Sequence, residues 1–360
     1  MKYIIILTTF FFIGGCASSF GPTALSDTHP AYNQAINYSV EQEMLLNLVR
    51  LRYRDSASFL KVGSVTASLS LASNAGLDTS LVSGKGSNTI SPEIGISYAD
   101  EPTISYIPLQ GEEFLKSVLT PISLEALLVM IQSGWSLERV FGLCIERMND
   151  LYNAPTASGP TPNLAPDYQQ FTQLLSLFRH LQDIGAFEIG PLGNDKSDIG
   201  KLVIVFNKNK LDQNTAVQLK QLLGISDESN KVVISSNFIE QQDNQITVRT
   251  RSIYGLLFYM SQSLQVPESH QNDGLVTLTK DENNSPFNWN NTPAGNVFKI
   301  QTAKEKPANS RLAVPYRGYW FYISDDDLQS KSTFLLLMQL FQLQAGQNET
   351  RGPTLTIPVR

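Results

Sequence analysis

Apolar and polar positions along this chain repeat with three different periods, and each period predicts a different kind of element. From Ser39 onward, Val40, Met44, Leu48 and Leu51 recur at the spacing that lines one face of a helix. Ser39 is placed to cap its start, and Glu41 and Glu43 suit the positive end of its dipole. Arg50, Arg52 and Arg54 suit the other end, with Asp55 in reach as a pairing partner; a second reading makes them a contact for lipid phosphates. Across residues 61–109 the period drops to two. Val65, Ala67, Leu69 and Leu71 alternate with Thr66, Ser68 and Ser70, and Ile94, Ile96 and Tyr98 alternate with Gly95 and Ser97. Between them lies a Gly/Ser/Asn-rich middle, Ser83–Asn88, and a third extended run, Thr103–Ile107, follows Pro102. One reading is a hairpin packed on the domain. The other is an oligomer that inserts residues 61–109 as membrane β-hairpins, since spanning strands need about nine to eleven alternating residues and must close into a barrel.

The helical period returns from Glu112. Phe114, Leu115 and Val118 lead to a break at Pro121, Leu124, Leu127, Leu128 and Ile131 form the next stripe, and Gly134 interrupts it. A third helix is predicted from Trp135 to Leu151 on Leu137, Val140, Phe141, Cys144 and Met148. Residues 153–167, NAPTASGPTPNLAPD, carry four prolines and predict a linker at a domain boundary. Beyond it, Phe171, Leu174, Leu175, Phe178 and Leu181 make a helical stripe that ends at Gly185, and a short helix from Asp212 to Leu223 is closed by Gly224. Ile253, Leu257, Met260 and Leu264 form a further stripe. Strands are predicted at Leu202–Phe206, Val232–Ser235, Ile246–Arg249, Leu275–Leu278, Val297–Ile300, Tyr319–Ile323 and Thr354–Val359. The last helix starts from Ser324, and its apolar residues (Phe334 to Leu337, Leu340, Phe341) predict burial. The expected fold is α+β: a helical and β-hairpin N-terminal region over 39–152, then a mixed, mainly antiparallel sheet domain with packed helices over 168–360.

The first sixteen residues, MKYIIILTTFFFIGGC, have one basic residue, an apolar run and a small-residue exit. A run this short predicts an export signal over 1–15 rather than a span, which needs roughly twenty apolar residues. Ile13-Gly14-Gly15-Cys16 resembles a bacterial lipobox, which makes Cys16 the lipidation site and membrane lipid the first partner. Residues 16–38, with Gly21-Pro22 and His29-Pro30, are expected to be a weakly structured tether. Ala17 is not the aspartate that resembles an inner-membrane retention signal, so the expected destination is the outer membrane, with the body facing the periplasm.

Composition narrows the function classes. The formal charge is −6 over 360 residues, so no basic excess exists to neutralise nucleic-acid phosphates. The cysteines are Cys16 and Cys144, and with Cys16 acylated an internal disulfide is excluded; Cys144, in an apolar helical context, reads as a buried thiol. His29, His180 and His270 have no i, i+4 pair and no CxxC occurs, so neither a metal site nor a cofactor is legible. Nucleophile-elbow and phosphate-loop motifs are absent from the sequence. Asp325-Asp326-Asp327 reads as the start of the last helix, with Ser324 and Asp327 as a capping box, rather than as a calcium loop. The densest aromatic cluster runs from Tyr316 to Tyr322. Arg317, Tyr319, Trp320 and Tyr322 are the candidate binding residues, with Arg249 and Arg251 as further polar candidates that spacing alone does not bring near them.

Three runs carry a family resemblance: Glu43–Asp55 continuing to Val65, Val248–Tyr259, and Tyr316–Phe334, joined by Pro353–Val359. They are similar to a group of uncharacterised proteobacterial lipoproteins with no assigned activity. The resemblance implies a Gram-negative envelope and one evolutionary unit, and it assigns no residue a role. The expected function is a lipid-anchored, non-catalytic interaction or scaffold component of an envelope complex, whose partners are other envelope proteins or copies of itself. The alternative from a different class is a periplasmic hydrolase or glycan-active enzyme with a dispersed active site.

Overall fold

The computed structural model describes residues 20–66, 69–80, 89–100, 103–193, 200–225, 230–237 and 245–345. The export signal with Cys16, the Ser83–Asn88 segment and the strand expected at Thr354–Val359 lie outside the described residues. Among the described residues, ten helices and mixed sheets make the fold α+β, as expected. The chain divides into two compact units: Phe59–Leu109 with Thr350–Arg360, and Met1–Ser58 with Gln110–Glu349.

The smaller unit is a run of antiparallel ribbon. Strand β1 (Phe59–Thr66) pairs with β4 (Thr103–Leu109), and β2 (Leu69–Ser80) pairs with β3 (Thr89–Asp100) through twelve consecutive partners from Leu69↔Asp100 to Ser80↔Thr89. Among the described residues, each pair forms a sheet of two strands.

In the larger unit, helix α1 spans Phe20–Arg52 and so takes in most of the expected tether. The proline signals that predicted disorder are absorbed locally. Pro22 falls in the first turn, where a missing N–H leaves no helical bond unmade, and Pro30 is exposed inside the helix at the loss of one bond. The predicted stripe holds, with Met44, Leu48 and Leu51 buried. Helices α2 (Glu112–Leu119), α3 (Leu124–Gln132) and α4 (Leu137–Cys144) follow, the last two capped by Ser123 and Ser136 accepting from the N–H groups of Ala126 and Arg139.

The central sheet has the order β6-β5-β10-β9-β8-β7, built from β5 (Ile145–Met148), β6 (Leu151–Tyr152), β7 (Phe187–Pro191), β8 (Leu202–Phe206), β9 (Lys231–Ser235) and β10 (Gln245–Thr250). Only the β9–β10 pair is parallel. Helices α5 (Gln169–Asp183), with its predicted stripe buried, and α6 (Gln213–Leu223) connect its strands. Gly224 closes α6 in the left-handed region at φ 65°, as its position predicted. Then come α7 (Ile253–Ser261), the short α8 (Glu268–Asn272) and α9 (Pro293–Val297), and a three-stranded sheet, β11 (Gln301–Ala303), β13 (Tyr319–Ile323) and β12 (Leu312–Tyr316). Helix α10 (Leu328–Ala345) ends the described chain.

Several expectations shift. Leu275–Leu278 is not a strand, and Val297 ends α9, so that the strand begins at Gln301. Asp327, not Ser324, caps α10: its carboxylate accepts from the Ser330 N–H at 3.0 Å, while Asp325 pairs with Lys331 at 3.1 Å. No described helix is long and apolar enough to cross a membrane.

The largest correction concerns residues 135–167. The helix predicted to run to Leu151 stops at Cys144, and β5 and β6 become an edge of the central sheet. The expected linker that follows is packed into the same unit, with Asn153, Ala154 and Ala157 buried. The cause is visible in the four carbonyls at the end of α4, which a helix leaves without internal partners. Phe141 O accepts from the Ile145 N–H, Gly142 O from the Asn153 amide (2.8 Å), Leu143 O from Arg251 Nε (3.2 Å) and Cys144 O from the Arg251 N–H (2.7 Å). Arg251, 1 % exposed, also donates to Asn153 O and to Ser158 Oγ, and its guanidinium lies 4.0 Å from the centre of the Tyr259 ring. Glu146 Oε2, 3.9 Å away, supplies the opposing charge. The proline-bearing segment therefore holds the arginine through Asn153 and Ser158, and both of its flanks belong to one compact unit.

Asn153→Ala removes the amide donor to the buried Gly142 and Ile145 carbonyls and the acceptor for the Tyr259 hydroxyl proton. Urea unfolding should show a loss on the order of 3 kcal/mol. A loss within the ordinary range of surface changes, about 0.5 kcal/mol, contradicts the capping role.

Candidate functional site

The hairpin β12–β13 turns on two residues, Arg317 at φ 47° and Gly318 at φ 80°. Positive φ at both central positions is the two-residue turn whose twist matches paired strands. It is tolerable for glycine and uncommon for arginine, so Arg317 occupies a position that its own backbone preference disfavours. Its side chain accounts for the choice. Arg317 Nη2 donates to Asp55 Oδ2 at 2.9 Å, and the guanidinium lies 5.3 Å from the ring centre of Tyr53 and 5.5 Å from that of Tyr316. The Tyr316 hydroxyl donates to the same Asp55 oxygen.

Tyr53 and Asp55 follow the end of α1, where Arg54 takes a left-handed φ of 61° and the Asp55 N–H returns to Arg50 O. Asp55 was expected to pair with the arginines of its own helix. Instead Arg52 is buried against Thr161 and the Thr277 carbonyl, with desolvation lowering its pKa to about 10, and Arg50 donates to Ser58. Tyr53 packs edge-on against His270 and Phe321, and its hydroxyl meets His270 Nδ1 at 2.7 Å. His270 in turn lies edge-on to Tyr319, whose hydroxyl meets Ser269 Oγ at 2.8 Å and whose ring carries Lys304 Nζ 3.7 Å from its centre.

Tyr53, Asp55, His270, Tyr316, Arg317 and Tyr319 thus form one aromatic and cationic corner. It contains two of the four predicted binding residues. Strand alternation puts Trp320 and Tyr322 on the other face of β13, where Lys306 Nζ lies 5.6 Å from the Trp320 ring centre. Arg249 pairs with Glu146 and Arg251 is the buried cap, so neither joins the corner. Tyr53, Asp55 and His270 carried no sequence signal as a group, because Tyr53 and His270 are 217 residues apart.

The electrostatics favour holding over proton transfer. Burial pushes the Tyr53 hydroxyl up to about 12, so it keeps its proton at neutral pH. The Tyr316 hydroxyl and then the Arg317 guanidinium hold Asp55 below the usual carboxylate range, so it stays charged. Hydrogen bonding from Lys304, with help from Ser269, lowers the Tyr319 hydroxyl. Cys144, buried and pushed up to about 12, is an inert thiol, as its context predicted. No group of three His, Cys, Asp or Glu side chains among the described residues is arranged to hold a metal ion. The concave surfaces lie elsewhere. One groove of about 730 Å³ is lined by the amides Asn149, Gln170, Gln173, Gln218 and Gln221, and another of about 650 Å³ runs between α1, β12 and α10, past Val40, Leu312, Phe334 and Met338.

Tyr316→Phe removes the first support of the Asp55 carboxylate. In an NMR titration the Asp55 pKa should rise toward the ordinary value, and Arg317→Ala should do the same. Because the folded pKa is depressed, the stability it contributes is complete above the ordinary carboxylate range and is lost as pH falls through the depressed value. The two variants should therefore be less stable than the parent at neutral pH and converge on it in strong acid. An unshifted Asp55 in both variants contradicts the assignment.

No protein-family model, no curated protein and no solved structure matches this chain.

Proposed function

We propose that this chain is a lipid-anchored cell-envelope protein, held at the outer membrane with its body in the periplasm, and that it works as a non-catalytic interaction or scaffold component of an envelope complex. The observation that carries the reading is Met1–Cys16, a short export signal that ends in a lipobox-like cysteine. Each buried CH₂ of an acyl chain contributes about 0.8 kcal/mol, so the several chains of a bacterial lipoprotein make a durable anchor where a single one does not.

The body supports the interaction half of the reading. Its charged groups at the corner and at the end of α4 are engaged in bonds that hold the fold, Asp55 to Arg317 and Arg251 to backbone carbonyls. What it offers outward is a broad groove lined with the exposed glutamine amides of Gln170, Gln173, Gln218 and Gln221, which can donate to and accept from the backbone of a partner protein. Such polar, wet surfaces are common in assemblies and need no titrating group.

Two measurements test this. Mass spectrometry of the N-terminal peptide from membranes should show Cys16 acylated, and Cys16→Ser should abolish that mass or stall removal of the leader. An unmodified Cys16 in the mature protein overturns the anchor. Gln170→Arg with Gln218→Arg, which puts bulk and charge into the amide groove, should abolish co-purification of the partners that in-cell crosslinking captures with the parent. Unchanged capture overturns the groove as the interaction surface.

A further inference from the structure

Strands β2 and β3 are long for a hairpin of a globular domain, and among the described residues they stand as a sheet of two. A two-stranded hairpin is marginally stable in water by itself, and both of its outer edges carry rows of backbone donors and acceptors that ask for a neighbour. The register shows what kind of neighbour. Leu71 pairs with Tyr98, Ala75 with Ile94, Leu77 with Pro92 and Thr79 with Ile90, so period-two alternation collects these positions, with Ser73 and Ile96, on one face. The other face collects Ala72 with Ser97, Asn74 with Gly95, Gly76 with Glu93 and Asp78 with Ser91. One side of the ribbon is mostly aliphatic and the other small and polar. Neither strand contains a lysine or arginine, the residues that cost most on a lipid-facing surface.

We infer that β2 and β3 are a membrane-inserting hairpin, and that copies of this chain join these hairpins edge to edge into a closed barrel across the bilayer. The length fits: twelve residues at about 3.3 Å rise cover about 40 Å, and a tilt of about 40° projects that onto the roughly 30 Å of hydrocarbon. Closure supplies a partner for every edge, which a bilayer requires because no water is there to do so. The aliphatic face meets lipid and the polar face lines the lumen. With two strands per copy and about eight in the smallest spanning barrels, at least about four copies take part. The inference rests on the envelope reading only in that a bilayer must be within reach.

The test uses the full chain in membranes isolated from cells that produce it. Leu71→Cys, Ala72→Cys, Ser73→Cys, Asn74→Cys, Ala75→Cys and Gly76→Cys, one at a time, are labelled with an environment-sensitive fluorophore and read against the parent chain labelled in parallel, which subtracts any signal from Cys16; buried Cys144, with its raised pKa, does not compete. Labels at 71, 73 and 75 should be quenched by a nitroxide-bearing lipid and spared by aqueous iodide, with the order reversed at 72, 74 and 76. Mild detergent should release an oligomer rather than a monomer. Uniform iodide quenching at all six positions, or alternating quenching on a monomer, overturns the barrel. The acylation measurement separates the two readings. Acylated Cys16 with uniform quenching removes the barrel alone, and unmodified Cys16 with alternating quenching removes the anchor alone.

Discussion

The larger unit depends on the buried cation of Arg251. An arginine can enter a protein interior only if its donors are spent on acceptors in fixed places. Here those acceptors are Leu143 O, Asn153 O and Ser158 Oγ, with the Tyr259 ring beside the guanidinium and Glu146 opposing the charge. The consequence is architectural. The end of α4, the proline-bearing loop after β6 and the start of α7 are bound to one side chain, so the central sheet takes strands from both sides of what reads as a linker. Desolvation lowers the Arg251 pKa, and the contact with Tyr259 and the charge of Glu146 oppose that shift.

The aromatic corner is a second closure of the same kind, made at the surface. The turn after α1 and the β12–β13 turn both place a non-glycine residue at positive φ, Arg54 and Arg317. Both turns converge on Asp55. A carboxylate that takes a phenol and a guanidinium on one oxygen is held charged and in place. That rigidity brings the Tyr53, His270 and Tyr319 rings together. The two ends of this constellation lie more than two hundred residues apart in sequence, and they meet only in the folded chain.

The ribbon of Phe59–Leu109 follows a different logic. The larger unit engages its helix ends and its buried arginine internally, with side-chain caps, sheet ladders and backbone carbonyls. Among the described residues, strands β2 and β3 pair along one edge each, and their two faces differ in polarity along twelve residues. Physical chemistry leaves such an element dependent on a neighbour, and the regular alternation makes the bilayer and further copies of the chain the neighbour it suits.

By itself the sequence determined those features that short-range physics decides. The stripes of α1 and α5, the closure of α6 at Gly224, the alternation of β2 and β3 and the inert burial of Cys144 were all legible, because each follows from spacing within a few residues. Tertiary structure decided the rest. Met148 continues a helical stripe in sequence yet lies in β5, because Asn153 and Arg251 take the carbonyls that another turn of α4 would have used. The four prolines of 153–167 read as a linker, but the segment forms a short 3-10 helix at Pro155–Ser158 and is tied to the buried cation through Asn153 and Ser158. Arg317 and Tyr319 were found by composition, whereas Tyr53, Asp55 and His270 were not, since a contact across more than two hundred residues leaves no local pattern.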